Sequence, residues 1–426
     1  MKKTVVALSV AALALYCALV SMVVLTPLNP YGGGKWLTRG CDYMMRMTEI
    51  DCLLGGVNPY DVWHGDIVLR PYVPNYGEPR AVVEGKEGYT EEINAYAPWE
   101  YMMMMPFAPM PRTFSWILYF ALMLASLSVL FKIGRSFTAR FAGVVRDTGA
   151  VVGTAAILLA GLPIYQNFQS GNLAVPVLVA AALMVYCLNH RQDELAGVCW
   201  AFVMLKPNLG LVFAIPLLMR RKFTVCVVAT SLCVVLTFVA SFICGSSPFD
   251  MILQTPAANT FAFMGCGTFP YFLCQYLPGN YDIIAGLAVG AVLCFFMTLV
   301  LVRAGYRDWV VLAMPAAVVG AAWSYSQCYC FTMNWFFFVV LAASLMKCPR
   351  SKFLWVLAIL SALLMTRLYN LGHTLTAILA GPGFNPASQA HYHVDSLVTS
   401  AGLVLTVALC AWLAKMAKER QCWWRK

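Results

Sequence analysis

The acidic side chains of this sequence are concentrated in one segment. Eleven of its 19 Asp and Glu residues lie between residues 27 and 113, and Asp42 opens a run to Leu54 with helical spacing that stops at Gly55-Gly56. Carboxylates can take up or release protons during catalysis. Because structureless loops longer than about 15 residues are usually functional or disordered, we expect this segment to be structured and to carry chemistry.

The basic side chains are distributed differently, mostly in short clusters. Twenty of the 29 Lys and Arg residues lie between apolar blocks, and seven lie in the acid-rich segment. The two that remain, Lys206 and Arg367, fall within or at the edge of apolar segments. Ionisable residues at membrane depth are costly and usually functional. The alternatives are that Lys206 reaches water from a helix tip and that Arg367 anchors a helix end.

Composition places the chain among membrane proteins. Hydrophobic residues make up 61% of it and charged residues only 11%, whereas soluble domains contain roughly 25% charged residues. The apolar residues form blocks close to the ~20 residues that cross a bilayer, and in lipid such blocks must be helices. The formal charge of +10 lies in loops of the kind that face the cytoplasm, and no separate basic face suggests nucleic-acid binding.

We predict an all-α polytopic membrane protein that forms a single domain over residues 1–426. About twelve membrane segments are expected, with both termini in the cytoplasm. Full spans are expected at residues 4–25, 114–133, 149–165, 172–188, 224–244, 283–302, 309–327, 331–346, 353–371 and 396–414. The outer loops are expected at residues 26–113, 245–282 and 372–395.

Residues 195–219 are predicted to form a short helical hairpin. They are about one span long, yet Arg191 precedes them and Arg220-Arg221-Lys222 follows them, and both are clusters of the cytoplasmic type. A chain that turns back at Lys206-Pro207 keeps both clusters on the same side. Proline interrupts a helix and disfavours the α conformation in the residue before it. Lys206 is therefore expected near the outer tip of the hairpin.

The order of several motifs resembles glycosyltransferase family 87 of the GT-C superfamily, which contains polyprenyl-phosphate-mannose-dependent mannosyltransferases. The resemblance covers roughly residues 1–225. Its motifs are Asp42-Tyr43, Gly55-Gly56-Val57-Asn58-Pro59-Tyr60-Asp61, Tyr96-Ala97-Pro98-Trp99, Pro106-Phe107-Ala108-Pro109-Met110-Pro111, Gly171-Asn172, and Lys206-Pro207 followed by Arg220-Arg221-Lys222.

This resemblance implies an inverting hexosyltransferase in the plasma membrane, with Asp42 as general base on the outer face. The donor would be a polyprenyl-phosphate hexose, with mannose the expected sugar, and the acceptor a lipid- or glycan-linked hydroxyl. No cofactor and no metal are expected, because no aspartate pair with D-x-D spacing is present. The residues expected to bind substrate are Arg46, Asn58, Tyr60, Tyr96, Asn172, Lys206 and Arg367.

Several alternatives remain open at this point. Asp42 and Arg46 could form a simple ion pair between positions i and i+4 of a helix, and Glu49 or Asp51 could be the base instead. A transporter or flippase for lipid-linked sugars would predict more charges within the spans and related halves. A polymerase or ligase of lipid-linked sugars would usually carry its large outer loop later in the chain.

Overall fold

The computed structural model of the chain describes residues 41–56, 58–60, 96–143, 167–168, 171–254, 281–323, 328–365 and 390–423. Within those ranges, all regular structure is helical. The predicted spans at residues 4–25 and 149–165 lie outside the described residues, and so does Arg367. Residues 61–95 of the acid-rich segment, and most of the later outer loops, also lie outside them.

Thirteen α-helices and three 3₁₀ turns have defined bounds in these ranges. The α-helices are α1 (Cys41–Leu54), α2 (Pro98–Met104), α3 (Arg112–Ala142), α4 (Ala174–Asn189), α5 (Asp193–Val203), α6 (Pro207–Gly210), α7 (Ala214–Met219), α8 (Phe223–Cys244), α9 (Tyr281–Arg303), α10 (Trp309–Gly320), α11 (Trp335–Lys347), α12 (Lys352–Met365) and α13 (Ala390–Trp423). The 3₁₀ turns are Met105–Phe107, Leu211–Phe213 and Cys328–Asn334.

Helices α5, α6 and α7 form two short arms that run back along each other. The chain turns between them at Lys206, whose backbone is extended, and Pro207 starts the second arm. The indole of Trp200 donates to the carbonyl of Gly210 at 3.0 Å, which joins the arms near the turn. At the other end the ammonium of Lys222 lies 2.8 Å from the carboxylate of Asp193. This hairpin holds Lys206 at one end of the molecule.

Helix α3 is longer than the span predicted at residues 114–133. Hydropathy predicts that the span ends at the basic segment that starts at Lys132, but α3 continues to Ala142 and stops at Gly143, which has a φ of 67°. Lysine and arginine are good helix formers and interact favourably with a helix C-terminus. The drop in hydropathy therefore marks the end of the apolar stretch and not the end of the helix.

The later helix boundaries also differ from those predicted. Helix α10 ends at Gly320, although a span was expected over residues 309–327. Helix α13 begins before residue 396 and continues past residue 414. Its last turns carry a pair of side chains at i and i+4, Lys415 and Glu419, with a 3.8 Å separation. Charged residues of this kind continue a helix into water, where hydropathy alone predicts a stop.

Five of the described helical segments are long and apolar enough to cross a membrane. They are Thr113–Ala142, Phe223–Cys244, Ile284–Arg303, Cys330–Lys347 and Thr399–Glu419. Shorter apolar segments of 10 to 17 residues accompany them: Ala174–Asn189, Pro207–Met219, Trp309–Gly320 and Lys352–Met365. This content fits a helical protein that passes through the bilayer several times.

The helices divide into a buried centre and an apolar outer layer. Every residue of α10 is buried, and most of α4 and α11 is buried as well. Helices α8 and α9 lie farther out and expose large apolar side chains, including Phe242, Val227 and Ile284. An outward apolar surface of this kind is what a helix presents to lipid. The hairpin and α2 pack at the same end of the bundle as the start of α4, and there they form the site described next.

Candidate functional site

Asp42 lies at the start of α1 and contacts the start of α4. Its Oδ2 accepts a hydrogen bond from Nδ2 of Asn172 at 2.6 Å, and the Asp42 side chain is partly exposed. The other amide atom, Oδ1 of Asn172, accepts from the backbone N–H of Ala174 at 3.0 Å. Asn172 therefore satisfies a backbone donor at the start of α4 and orients the carboxylate of Asp42 at the same time.

The turn that carries Asn172 requires a glycine. Gly171 has a φ of 72°, a region that other residues rarely adopt. A Cβ at this position would lie 2.6 Å from the ring of Trp116 and 2.7 Å from the Cβ of Tyr43. The backbone N–H groups of Gly171 and Asn172 both donate to the carbonyl of Asn167, at 2.8 and 3.2 Å. This close approach of backbone to aromatic rings brings Asn172 within reach of α1.

An aromatic cluster supports the contact between Asp42 and Asn172. The rings of Tyr43 and Tyr119 stack with their centroids 4.8 Å apart, and Trp116 lies 5.3 Å from Tyr43. The hydroxyl of Tyr119 donates to the backbone carbonyl of Asn172 at 3.2 Å. Aromatic pairs of this geometry add stability beyond their buried area, so this cluster fixes the relative positions of α1, α3 and the start of α4.

Two cations lie over the ring of Tyr96. The guanidinium carbon of Arg46 is 3.5 Å from the ring centroid, and Nζ of Lys206 is 5.5 Å from it. Both side chains are almost completely buried, with 3% and 2% of their surface exposed. Lys206 interacts electrostatically with Tyr96 and Asp42. The structure thus brings Asp42, Arg46, Tyr96 and Lys206 together from three distant parts of the chain.

Arg46 is paired with two glutamates. Its Nη1 donates to Oε2 of Glu49, and its Nε lies 3.7 Å from Oε1 of Glu100. Burial alone would lower the pKa of Arg46, but the carboxylates of Glu49 and Glu100 outweigh burial, and the pKa is raised. The alternative in which Asp42 and Arg46 form an ion pair is therefore not needed to explain Arg46, because Glu49 at i+3 and the distant Glu100 hold its guanidinium.

Glu100 is the unusual member of this group. It is fully buried, and neither of its carboxyl oxygens has a hydrogen-bond partner. Burial raises its pKa well above the usual range, and the nearby Arg46 lowers it only in part. Burial therefore favours the protonated form of Glu100 beside the Arg46–Glu49 pair. Its position two residues after Ala97-Pro98 gave no signal in the sequence.

Asn58 and Tyr60 hold the backbone of Tyr96. The hydroxyl of Tyr60 donates to the carbonyl of Tyr96, and the backbone N–H of Tyr60 donates to Oδ1 of Asn58 at 3.1 Å. The hydroxyl of Tyr101 accepts from the N–H of Tyr96 at 3.1 Å. Asn58 and Tyr60 are buried, so their described contacts are with the protein around Tyr96.

Trp99 connects α2 to the tip of the hairpin. Its indole N–H donates to the carbonyl of Met204 at 2.8 Å. The same turn is held from the other side, where the indole of Trp323 donates to the carbonyl of Asn208 at 2.6 Å. These two bonds flank Lys206 in the sequence. They fix the hairpin tip against both the acid-rich segment and the end of α10.

The site also has neighbours that sequence reasoning missed. Oγ1 of Thr332 and Nε1 of Trp335 are buried without a hydrogen-bond partner. They lie in and just after the 3₁₀ turn Cys328–Asn334, whose Cys330 interacts electrostatically with Lys206. Unpaired buried donors are rare in native proteins and call for an explanation. The apolar run around them in the sequence carried no sign of this.

Other predicted features fall outside this arrangement. Arg367 and Asp61 lie outside the described residues. Asp51, the other candidate base on α1, is partly exposed. In the part of the chain that the structure describes, no group of three His, Cys, Asp or Glu side chains could hold a metal ion.

Comparison with known protein families identifies part of the chain. Residues 94–260 match the model of glycosyltransferase family 87, which supports the family that the motifs predict. The match covers less than half of the 426 residues. It includes Tyr96, Asn172 and Lys206, whereas Asp42 and Arg46 precede it. No curated protein and no solved structure matches the chain.

Proposed function

Taking membership of glycosyltransferase family 87 as the premise, we propose that this protein transfers a hexose from a polyprenyl-phosphate donor to a hydroxyl group. The acceptor hydroxyl belongs to a lipid or a glycan on the outer face of the plasma membrane. Mannose is the hexose that the family resemblance favours. In this proposal the fold is of the GT-C type, both termini are cytoplasmic, and the reaction needs no cofactor.

The reaction is a single displacement at the anomeric carbon, with inversion. The acceptor oxygen forms the new bond to this carbon while its proton passes to a carboxylate oxygen of Asp42. The bond between the anomeric carbon and the phosphate oxygen breaks, and its electrons leave with the polyprenyl phosphate. Asp42 then returns the proton to water. A positioned base of this kind typically accelerates a reaction by about 10² to 10⁴.

Asn172 acts in this scheme as a positioning residue for Asp42. Its amide donates to one carboxylate oxygen and is itself held by the start of α4. Asn172 therefore holds the carboxylate of Asp42 in a fixed orientation towards the acceptor.

Lys206 stabilises the phosphate that leaves. A buried cation is worth more to a developing negative charge than an exposed one, because little water screens it. Tyr96 supports the ammonium group from one side. Arg46 adds positive charge behind Tyr96, and Arg367, which lies outside the described residues, is a further candidate for the phosphate. Asn58 and Tyr60 act through Tyr96.

One observation carries this proposal: a partly exposed carboxylate, Asp42, lies in the same small region as the buried cation Lys206. They come from segments far apart in the chain. The described contacts Asn172–Asp42 and Lys206–Tyr96 converge there. A base and a cation side by side are what transfer from a lipid phosphosugar requires. A flippase would need no base that is held in place in this way.

The proposal can be tested with purified protein in liposomes. The donors are a panel of labelled polyprenyl-phosphate hexoses, and a membrane lipid extract supplies the acceptor. We expect one hexose to be transferred by the wild type. Asp42→Asn should slow transfer at least about 100-fold, whereas Asp51→Asn, the same change on the same helix, should leave the rate close to that of the wild type.

The outcome has clear alternatives. If Asp51→Asn lost sugar transfer while Asp42→Asn kept it, the general base would be Asp51 and not Asp42. Movement of intact donor across the bilayer, without any transfer of the sugar, would replace the enzyme by a flippase. Both variants must reach the membrane in wild-type amounts for the comparison to hold.

A further inference from the structure

A cavity lies at the end of the molecule opposite the site. It is enclosed by the ends of α3, α9, α11 and α13. The described residues that line it are Phe141, Ala304, Gly305, Tyr306, Lys347, Trp412, Leu413, Met416 and Ala417. None of these is acidic, and most are apolar or aromatic. The site at Asp42 and Lys206 shares no residue with this cavity.

The cavity lies at the level where the spans end. Four of the five long apolar segments finish beside it: Thr113–Ala142, Ile284–Arg303, Cys330–Lys347 and Thr399–Glu419. The ends of spans lie at the boundary between hydrocarbon and water, where lipid headgroups are found. Tyr306 and Trp412 in its wall are residues that favour this boundary. The position of the cavity therefore matches that of a headgroup.

Exposed basic residues lie next to the lining residues in the sequence, and we call them the rim of the cavity. Arg303 and Arg307 directly precede and follow Ala304–Tyr306, while Lys415 lies between the lining residues of α13 and Lys418 follows them. The nearby acids are already engaged: Asp308 accepts from Arg140 at 3.1 Å, and Glu419 lies 3.8 Å from Lys415. Together with Lys347 in the lining, the residues around this cavity therefore carry more positive than negative charge.

Inside the cavity, a polar wall stands next to an apolar one. Nζ of Lys347 donates to the carbonyl of Phe141 at 3.0 Å and lies 4.6 Å from the centre of its ring. The hydroxyl of Tyr306 donates to the carbonyl of Leu413 at 3.0 Å. Leu413 and Met416 supply an apolar surface. The lining therefore has a polar part and an apolar part, which match the headgroup and the acyl chains of a phospholipid.

We propose that this cavity binds an anionic phospholipid of the leaflet at the basic end. The phosphate lies towards Lys347 and the rim arginines, and the acyl chains follow the apolar surfaces of α9 and α13. Each Lys or Arg near a membrane surface adds to the attraction of anionic lipid. The excess of cations selects an anionic headgroup over a zwitterionic one. The bound lipid ties together four helix ends.

Native mass spectrometry of the purified chain tests this inference, with phosphatidylglycerol and phosphatidylcholine added separately. We expect phosphatidylglycerol to bind more tightly. The double variant Arg303→Gln and Arg307→Gln should weaken its binding by about tenfold or more. The matched control, Arg191→Gln with Arg221→Gln, removes two cations from the same end of the molecule but not from the rim, and should bind as the wild type does. Ala417→Phe keeps every cation and should lose binding by filling the cavity.

Three results would overturn the inference. The first is equal binding of the two phospholipids. The second is an equal loss in the rim variant and in the control, which would indicate a diffuse charge effect. The third is binding of inorganic phosphate as tightly as the lipid, which would make this a site for small anions. Sugar transfer does not enter the readout, so failure here leaves the proposed reaction untouched.

Discussion

The two ends of the helical bundle treat charged residues in opposite ways. At the site end, charges are buried: Arg46 is 3% exposed, Glu49 and Glu100 are not exposed, and Lys206 is 2% exposed. At the basic end the ion pairs are partly open to water. They are Arg140 with Asp308, 46% and 25% exposed, Lys222 with Asp193, 22% and 26% exposed, and Lys415 with Glu419, 74% and 52% exposed.

This difference indicates what each end is for. Removing a charge from water costs several kcal/mol per ion, and a buried pair rarely returns more than that. The four buried ionisable residues at the site end are thus poor candidates for a purely stabilising role. Pairs that are open to water contribute about 0 to 1 kcal/mol. The ion pairs at the basic end can therefore hold helix ends together with little loss of free energy from removing charges from water.

The largest effect on stability is expected from breaking the buried pair of Arg46. Glu49→Gln removes the carboxylate to which Arg46 donates and leaves the guanidinium buried, so it should cost about 3 to 5 kcal/mol. Glu100→Gln has nearly the same shape and replaces an acid whose protonated form burial favours, so it should change stability by less than about 1 kcal/mol. Chemical denaturation in mild detergent measures both. Equal losses would mean that Glu100 is ionised in the folded protein.

The largest effect on activity in this comparison is expected from replacing Lys206 at the site end. The matched control replaces Lys222 at the basic end. Lys206→Met removes the buried cation that we assign to the phosphate and should slow sugar transfer by about 100-fold or more. Lys222→Met breaks a partly exposed pair with Asp193 and should leave the rate close to that of the wild type. Initial rates in liposomes decide between them. A similar fall in both variants would remove the special role of Lys206.

The pH dependence of stability should also distinguish the ends. Burial raises the pKa of Glu100 well above its ordinary value of 4.5. An acid whose pKa is higher in the folded than in the unfolded protein stabilises the fold fully at a pH below the unfolded value. This stabilisation is lost as the pH rises from about 4.5 through the folded pKa.

We therefore expect the unfolding temperature of the wild type to fall over this window more steeply than that of Glu100→Gln. Thermal unfolding followed from pH 5 to pH 9 tests this difference. Parallel curves for the two proteins would show that Glu100 does not titrate in the way its burial requires.

The smallest effect is expected at the basic end. Arg140→Gln removes a pair with Asp308, but Asp308 still accepts from the N–H of Val310 at 2.9 Å and from Asn189 at 3.1 Å. The loss should be no more than about 1 kcal/mol. It should shrink further at high salt, which screens exposed charges. A loss as large as that in Glu49→Gln would contradict the contrast between the ends.

Local sequence signals account for much of the helical content. The turn of the hairpin can be predicted from the sequence, because Pro207 interrupts the helix at its own position and the basic residues on both sides place both ends of the hairpin on one side of the membrane. The end of α3 cannot be predicted in the same way. Hydropathy falls at Lys132, yet the helix continues to Ala142, since lysine and arginine leave the apolar layer without leaving the helix.

The candidate site was only partly accessible to sequence reasoning. Residue type and depth nominate Lys206, and the resemblance to glycosyltransferase family 87 nominates Asp42, but spacing on α1 suggests only a neighbour four residues away for Arg46. Its partners are Glu49 and the distant Glu100. That choice depends on how α2 packs against α1. Thr332 and Trp335 stand out because their polar atoms are buried without a hydrogen-bond partner. An apolar stretch of sequence does not show which of its polar atoms will be left without a partner.

The proposed reaction requires Asp42 to face the outer side of the membrane while the basic end faces the cytoplasm. Cysteine labelling with a membrane-impermeant maleimide tests it directly, in a background without accessible native cysteines. We predict that Asp42→Cys is labelled in intact cells or right-side-out vesicles. Arg191→Cys should be labelled only after the vesicles are inverted. Labelling of Asp42→Cys only in inverted vesicles would contradict the account.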